Sequence, residues 1–229
     1  MAEQDRLEPA AFELAAQGSR SHVSIISAFS VLAFLVTFAL IDFGFIEAWR
    51  RGMGELLGKE HGIIEQSQLV FIALAFVLFW LGWRNGRGAE KTAACALTML
   101  AAAMFVRELD VKTLGGPEWF QWLSHNGLQE ILLIAMTLPI LYYLTRNWRQ
   151  WLDLLRMAIK PTALPLFIAG ALLMVSVYID RRIVGWHGKQ FWEELVELNG
   201  YMFFVFSAFL HWRIVRNSQD AHNDEGIPR

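Results

Sequence analysis

The residues best suited to chemistry in this chain are acids in apolar surroundings. Glu197 and Asn199 precede the run Gly200 to Leu210, which has no charged residue. That run is too short to cross a bilayer, which needs about 20 residues at ~1.5 Å rise each. A spanning helix must therefore begin near Phe191, which submerges Glu197 and Asn199 by one to two turns. Carboxylates at such depth are costly and point to function. Glu65, Glu108, Asp110 and Glu130 stand at the ends of other apolar runs, and Arg107 could balance one of them. His61 and Glu65 share a helical face at i, i+4, continued by Gln68. That spacing suits two ligands of one metal, with His125 and Glu197 completing a shell.

Two carboxylates in one dry site require a proton, an arginine or a metal between them. The expected catalytic set is Glu65, Glu108, Asp110 and Glu197, as metal ligands or general base. The metal set is His61, Glu65, His125 and Glu197, and a divalent ion is the cofactor it would take. Arg107, Glu130 and Asn199 complete the polar site. Asp42, Glu60, Glu118, Asp180 and Glu193 read more simply, as interfacial acids in water or beside a base. His22, His187 and His211 read as loop or helix-end histidines.

The elements that must carry these residues are membrane helices. Hydrophobic residues make up 55% of the 229 positions and charged ones 18%, outside the usual soluble range. A net charge of −2 and the lack of a basic cluster exclude nucleic acid as a partner. Cys95 is the only cysteine, so no intrachain disulfide forms. The first 20 residues are polar and contain Pro9, with no apolar stretch resembling a cleavable leader, so the first span is expected to direct insertion.

The fold class expected is an all-α bundle of six transmembrane helices. The first span runs from Val23 to Ile41, followed by a loop from Phe43 to about Gly62. The uncharged cores of the next three run Leu69 to Trp83, Thr92 to Val106 and Ile131 to Thr145. The fifth runs from Thr162 to Ile179, and the sixth begins near Phe191. Between the fourth and fifth, Trp151, Leu154, Leu155 and Ala158 recur at helical spacing while Arg149, Arg156 and Lys160 face elsewhere. That is the pattern of an amphipathic helix lying in the interface. Residues 1–21 form a polar tail, 22–216 the membrane domain and 217–229 a charged tail. The tails and the second and fourth loops hold twelve Lys and Arg, the remaining loops eight. This bias places both termini in the cytoplasm.

Under that topology every span has acids at its outer end. The cores of the second, third and fourth are about 22 Å long at ~1.5 Å per residue, short of a ~30 Å hydrocarbon layer. Short acidic side chains cannot snorkel as lysine and arginine do. The acids therefore meet the interface or a polar cavity. Nothing matches a Gly-x-Ser-x-Gly elbow, a His-Glu-x-x-His pair or a phosphate-binding loop.

Three functions remain. The first is a hydrolase acting on a lipid or lipid-like amphiphile from an outer-leaflet acidic site. The second is a proton- or cation-coupled transporter using the same carboxylates; the third is an accessory subunit of a membrane complex. Expected partners are membrane lipids, with a partner subunit or a second copy as the protein partner. The expected location is the bacterial inner membrane.

Overall fold

The computed structural model describes residues 28–57, 62–108, 128–182 and 188–224. His61, Asp110 and His125 lie outside this set, as do His22, His187, Glu60, Glu118 and the polar tail 1–21. Every described element is a helix, and no strand occurs among the described residues. Four of these helices are long and apolar enough to cross a membrane: Ala28–Met53, Ile63–Asn85, Gly88–Glu108 and Pro161–Arg181. They mark the chain as an integral membrane protein.

By contacts the chain divides into two units, Met1–Glu47 and Ala48–Arg229. The first contributes most of an apolar helix (α1, residues 28–48) whose Phe29, Leu32, Leu35, Val36, Leu40 and Phe43 are exposed. This helix corrects the expected boundary: Asp42 lies within it, and the helix runs on through Gly44 to the break at Gly52. Gly52 adopts φ 86°, a conformation open to glycine, inside the π-helical turn Trp49–Met53.

The second unit holds the core. After a short turn of helix (α2, Gly54–Leu57), Ile63–Asn85 (α3) and Gly88–Glu108 (α4) form a hairpin joined through Gly86 and Arg87. Leu128–Arg146 (α5) packs on α4. Trp151–Ala158 (α6) follows, then Leu164–Arg182 (α7) and Lys189–Asp224 (α8). At 36 residues, α8 is about 54 Å long at ~1.5 Å per residue. It continues through residues 217–224, where a tail was expected.

The unit is organised around α8, which packs against both α3 and α7. Its Phe191, Leu195, Leu198, Tyr201, Met202, Phe204, Val205 and Ala208 are buried. On α3 the buried positions Ile64, Gln68, Ile72, Ala75, Phe79 and Gly82 recur every three or four residues, forming one inward stripe. Val70, Leu74, Phe76, Val77 and Trp80 cover the outside with apolar surface. Apolar residues all round a helix suit one face to protein and the other to lipid.

Small residues set the helix spacing. Ala75, Ala101, Ala169 and Ala208 bring α3, α4, α7 and α8 together around Phe79 and Phe204, whose ring centroids are 5.2 Å apart. At Gly200, α7 and α8 approach closely. A Cβ there would lie 2.9 Å from Leu173 Cγ.

Candidate functional site: one arginine between two glutamates

Three helices meet polar-side inward at one end of this core. The last turn of α4 carries Arg107 and Glu108, α8 contributes Glu197 and Tyr201, and α7 contributes Ser176. Arg107 bonds the Glu197 carboxylate and also donates through Nε to Glu108 Oε1 at 2.7 Å. A third Arg107 bond reaches the Tyr201 hydroxyl at 3.0 Å. Tyr201 lies 2.9 Å from Glu108 Oε1 and 3.2 Å from Glu197 Oε1. A phenol has one proton, so at any moment it donates to one of these acids while accepting from Arg107. Ser176 Oγ donates to the other Glu197 oxygen at 3.3 Å.

Burial is uneven across the cluster. Both carboxylates are 13% exposed, the guanidinium side chain 46%, and Tyr201 is buried completely. The acids are thus held from beneath by protein while the arginine opens the site on one side. A guanidinium offers five donors in a planar fork, so one arginine can hold two carboxylates and a phenol at once.

A second group adjoins the first through Glu194. Gln68 Nε2 on α3 donates to Glu194 Oε2 at 2.8 Å and to the Glu194 carbonyl at 3.1 Å. Gln68 is fully buried, and its Oε1 has no hydrogen-bond partner among the described residues. Glu65, Glu193 and Glu197 all lie within electrostatic range of Glu194. Glu65 sits in the first turn of α3. The acids of α3, α4 and α8 therefore share one end of the bundle, directly bonded in one half and through Glu194 in the other.

Other residues singled out in the sequence have different surroundings. Asn199 turns back along α8 and donates to the Leu195 carbonyl at 2.7 Å. Glu130 lies in the first turn of α5. Asp180 is bound by Lys189, whose ammonium bonds both its carbonyl and, at 3.3 Å, its carboxylate. Among the described residues no group of three or more His, Cys, Asp and Glu is placed to hold a metal. His61, Asp110 and His125 lie outside those residues.

Tyr201, Ser176 and Glu194 are participants that the sequence reading passed over. Tyr201 is one turn beyond Glu197 and Glu194 nearly one turn before it, so helical spacing alone could have raised both. Ser176 stands alone in an otherwise apolar run from Leu164 to Ile179, which was a signal too.

The end of α8 nearest this cluster is packed with aromatics. Trp49 stacks on Phe191 at 5.4 Å between centroids and meets Trp192 edge-on at 5.9 Å. Beyond Tyr201 the interior is mostly apolar: Ser207 is buried there, and the Thr98 hydroxyl is spent on the Ala94 carbonyl of its own helix.

Fold and site together define a helical membrane protein with a charged cluster at one end of an apolar core. Comparison with protein-family models, with curated proteins and with solved structures returns no match.

Proposed function

We propose that this chain is a six-helix membrane protein with both termini cytoplasmic, and that its acidic cluster works on the outer leaflet. Under this reading α5 and α8 complete the six spans. The site binds the polar head of a membrane lipid or lipid-like amphiphile and hydrolyses it. Glu197 is the general base toward water, and the positive charge of Arg107 stabilises the negative charge that develops on the attacked group. Tyr201 and Ser176 fix the Glu197 carboxylate. Glu65 and Glu194 form the acidic wall where an amine or a divalent ion would sit.

The observation that carries this reading is the half-exposed Arg107 guanidinium held between Glu108 and Glu197. It supplies the positive charge that two neighbouring carboxylates require. Transport by the same acids is less well supported. Beyond Tyr201 the core is built mainly of Phe79, Phe204, Val205 and Ala208, and the buried polar side chains there are the isolated hydroxyls of Thr98 and Ser207 among the described residues.

The test is reconstitution of the full chain into vesicles of mixed phospholipids and acyl-amide lipids, with products followed by mass spectrometry. Release of a head group or fatty acid by the wild type, absent in Glu197→Gln, is the expected result. No product from any lipid, together with a Glu197-dependent proton or cation flux, would replace hydrolysis by transport. Metal analysis of the same preparation decides whether a divalent ion takes part.

A further inference from the structure

At the opposite end of the bundle lies a second cavity, unrelated to the cluster above. Glu90 and Arg107 are separated by about 26 Å along α4, at ~1.5 Å per residue. The cavity has a volume of about 160 Å³ and is lined by α4, α6, α7 and α8, with one side open. Its charged lining is Glu90 and Lys160; its apolar lining includes Leu97, Leu154, Met157 and Leu166. Among the described residues neither Glu90 nor Lys160 has an ion-pair partner. An acid and a base thus line one space without neutralising each other.

The helix that roofs the cavity is fixed in place. Thr92 on α4 is buried, and its hydroxyl donates to Gln150 Oε1 at 2.5 Å, just ahead of α6. Leu154 and Met157 face inward to the cavity. Trp148, Leu152, Leu155 and Ile159 are exposed and follow one another at i, i+4, i+7 and i+11. This exposed stripe, flanked by Arg149 and Arg156, is the pattern of a helix laid on a lipid surface. The cavity therefore opens where head groups are found.

The geometry points to a binding site for a zwitterionic phospholipid with a primary-ammonium head. Its ammonium is received by Glu90, its phosphate by Lys160, and the start of its chains by Leu154, Met157 and Leu166. The volume matches about five water molecules at roughly 30 Å³ each, room for a phosphate with a two-carbon amine. An anionic lipid would satisfy Lys160 and leave Glu90 facing like charge. A choline head would bring three methyl groups into the same space and offer Glu90 no N–H.

The experiment uses the purified full chain in mild detergent and native mass spectrometry. Phosphatidylethanolamine, phosphatidylglycerol and phosphatidylcholine of matched chains are compared with the chainless glycerophosphoethanolamine. Retention of phosphatidylethanolamine should exceed that of the other two by at least about fivefold, the scale of one charge contact near a surface. Glu90→Gln should erase the preference over phosphatidylglycerol, and Lys160→Gln should weaken retention of both lipids. Equal or better retention of phosphatidylglycerol by the wild type overturns the assignment, as does an unchanged preference in both variants. Equal binding of the chainless head group overturns the lipid part. If Glu90→Gln does not fold, Lys160→Gln decides together with Ala93→Leu, which fills the cavity from its α4 wall, since both should reduce retention.

Discussion

Arg107 and Glu197 stand 90 positions apart in the chain, yet the guanidinium of one bonds the carboxylate of the other. This contact joins α4 to α8 at the end of the core. The same guanidinium also holds Glu108, so two acids depend on one cation. Changes at this cluster should therefore separate charge from shape.

Glu197→Gln keeps a carbonyl acceptor for Arg107 and turns its amide N–H toward the Ser176 hydroxyl, which can accept, while leaving Glu108 to balance the guanidinium. Its thermal stability should stay within about 1 kcal/mol of wild type. Activity in the vesicle assay should vanish, whereas Glu193→Gln should be nearly silent. Equal tolerance of both changes would make Glu197 a structural residue only.

Removing the cation has the opposite character. Arg107→Gln leaves two neighbouring carboxylates facing each other, and should destabilise the protein by about 1–3 kcal/mol, less than a fully buried pair because the arginine is half-exposed. Adding Glu108→Gln should recover part of the loss in a double-mutant cycle. A purely additive pair of effects would show that the shared contact is not coupled.

Tyr201→Phe removes a hydroxyl that both accepts from Arg107 and donates to a carboxylate. Bonds to charged groups contribute about 1.5–3 kcal/mol, so unfolding in detergent should shift by that order. An unchanged melting temperature would mean that water replaces the phenol without loss.

Gly200 tests the helix spacing independently of charge. Gly200→Ala places a methyl 2.9 Å from Leu173 Cγ and 3.4 Å from the Ala169 carbonyl. Overpacking of this kind costs about 1–3 kcal/mol. Leu173→Ala in the same chain should restore part of it, and a Gly200→Ala protein as stable as wild type would rule out the close approach.

The roofing helix gives a readout in lipid. Spin labels replacing Leu152, Leu155 and Ile159 should be accessible to a lipid-soluble quencher, and labels at Leu154 and Met157 protected from it. Uniform access along α6 would contradict its seating over the cavity. Thr92→Val should speed amide exchange in α6 by about two- to tenfold, the scale of one neutral hydrogen bond, and leave the Arg107 end unchanged.

What could be read from the chain alone was whatever depends on neighbours in sequence. Runs such as Leu69 to Trp83 and Thr92 to Val106 must be helices in lipid, because an apolar solvent leaves the backbone no other partners. Helical spacing likewise placed Glu65 and Gln68 on one face, and the charge pattern from Arg149 to Lys160 foretold a separate amphipathic helix. Helix ends were harder: Asp42 and residues 217–224 were assigned outside helices on polarity alone, and the backbone continues through polar residues when no breaker intervenes.

Tertiary structure decided which acids meet. Gln68 and Glu194 are 126 positions apart and Arg107 and Glu197 are 90, so their bonds depend on how α3, α4 and α8 rotate and pack. Those rotations are set by small residues, Ala75, Ala101, Ala169 and Gly200, whose effect is felt only against another helix. A carboxylate in a sequence has no fixed partner. It acquires an arginine, a phenol or open space when packing turns its helix, and here α8 turned Glu197 toward Arg107 and Ser176.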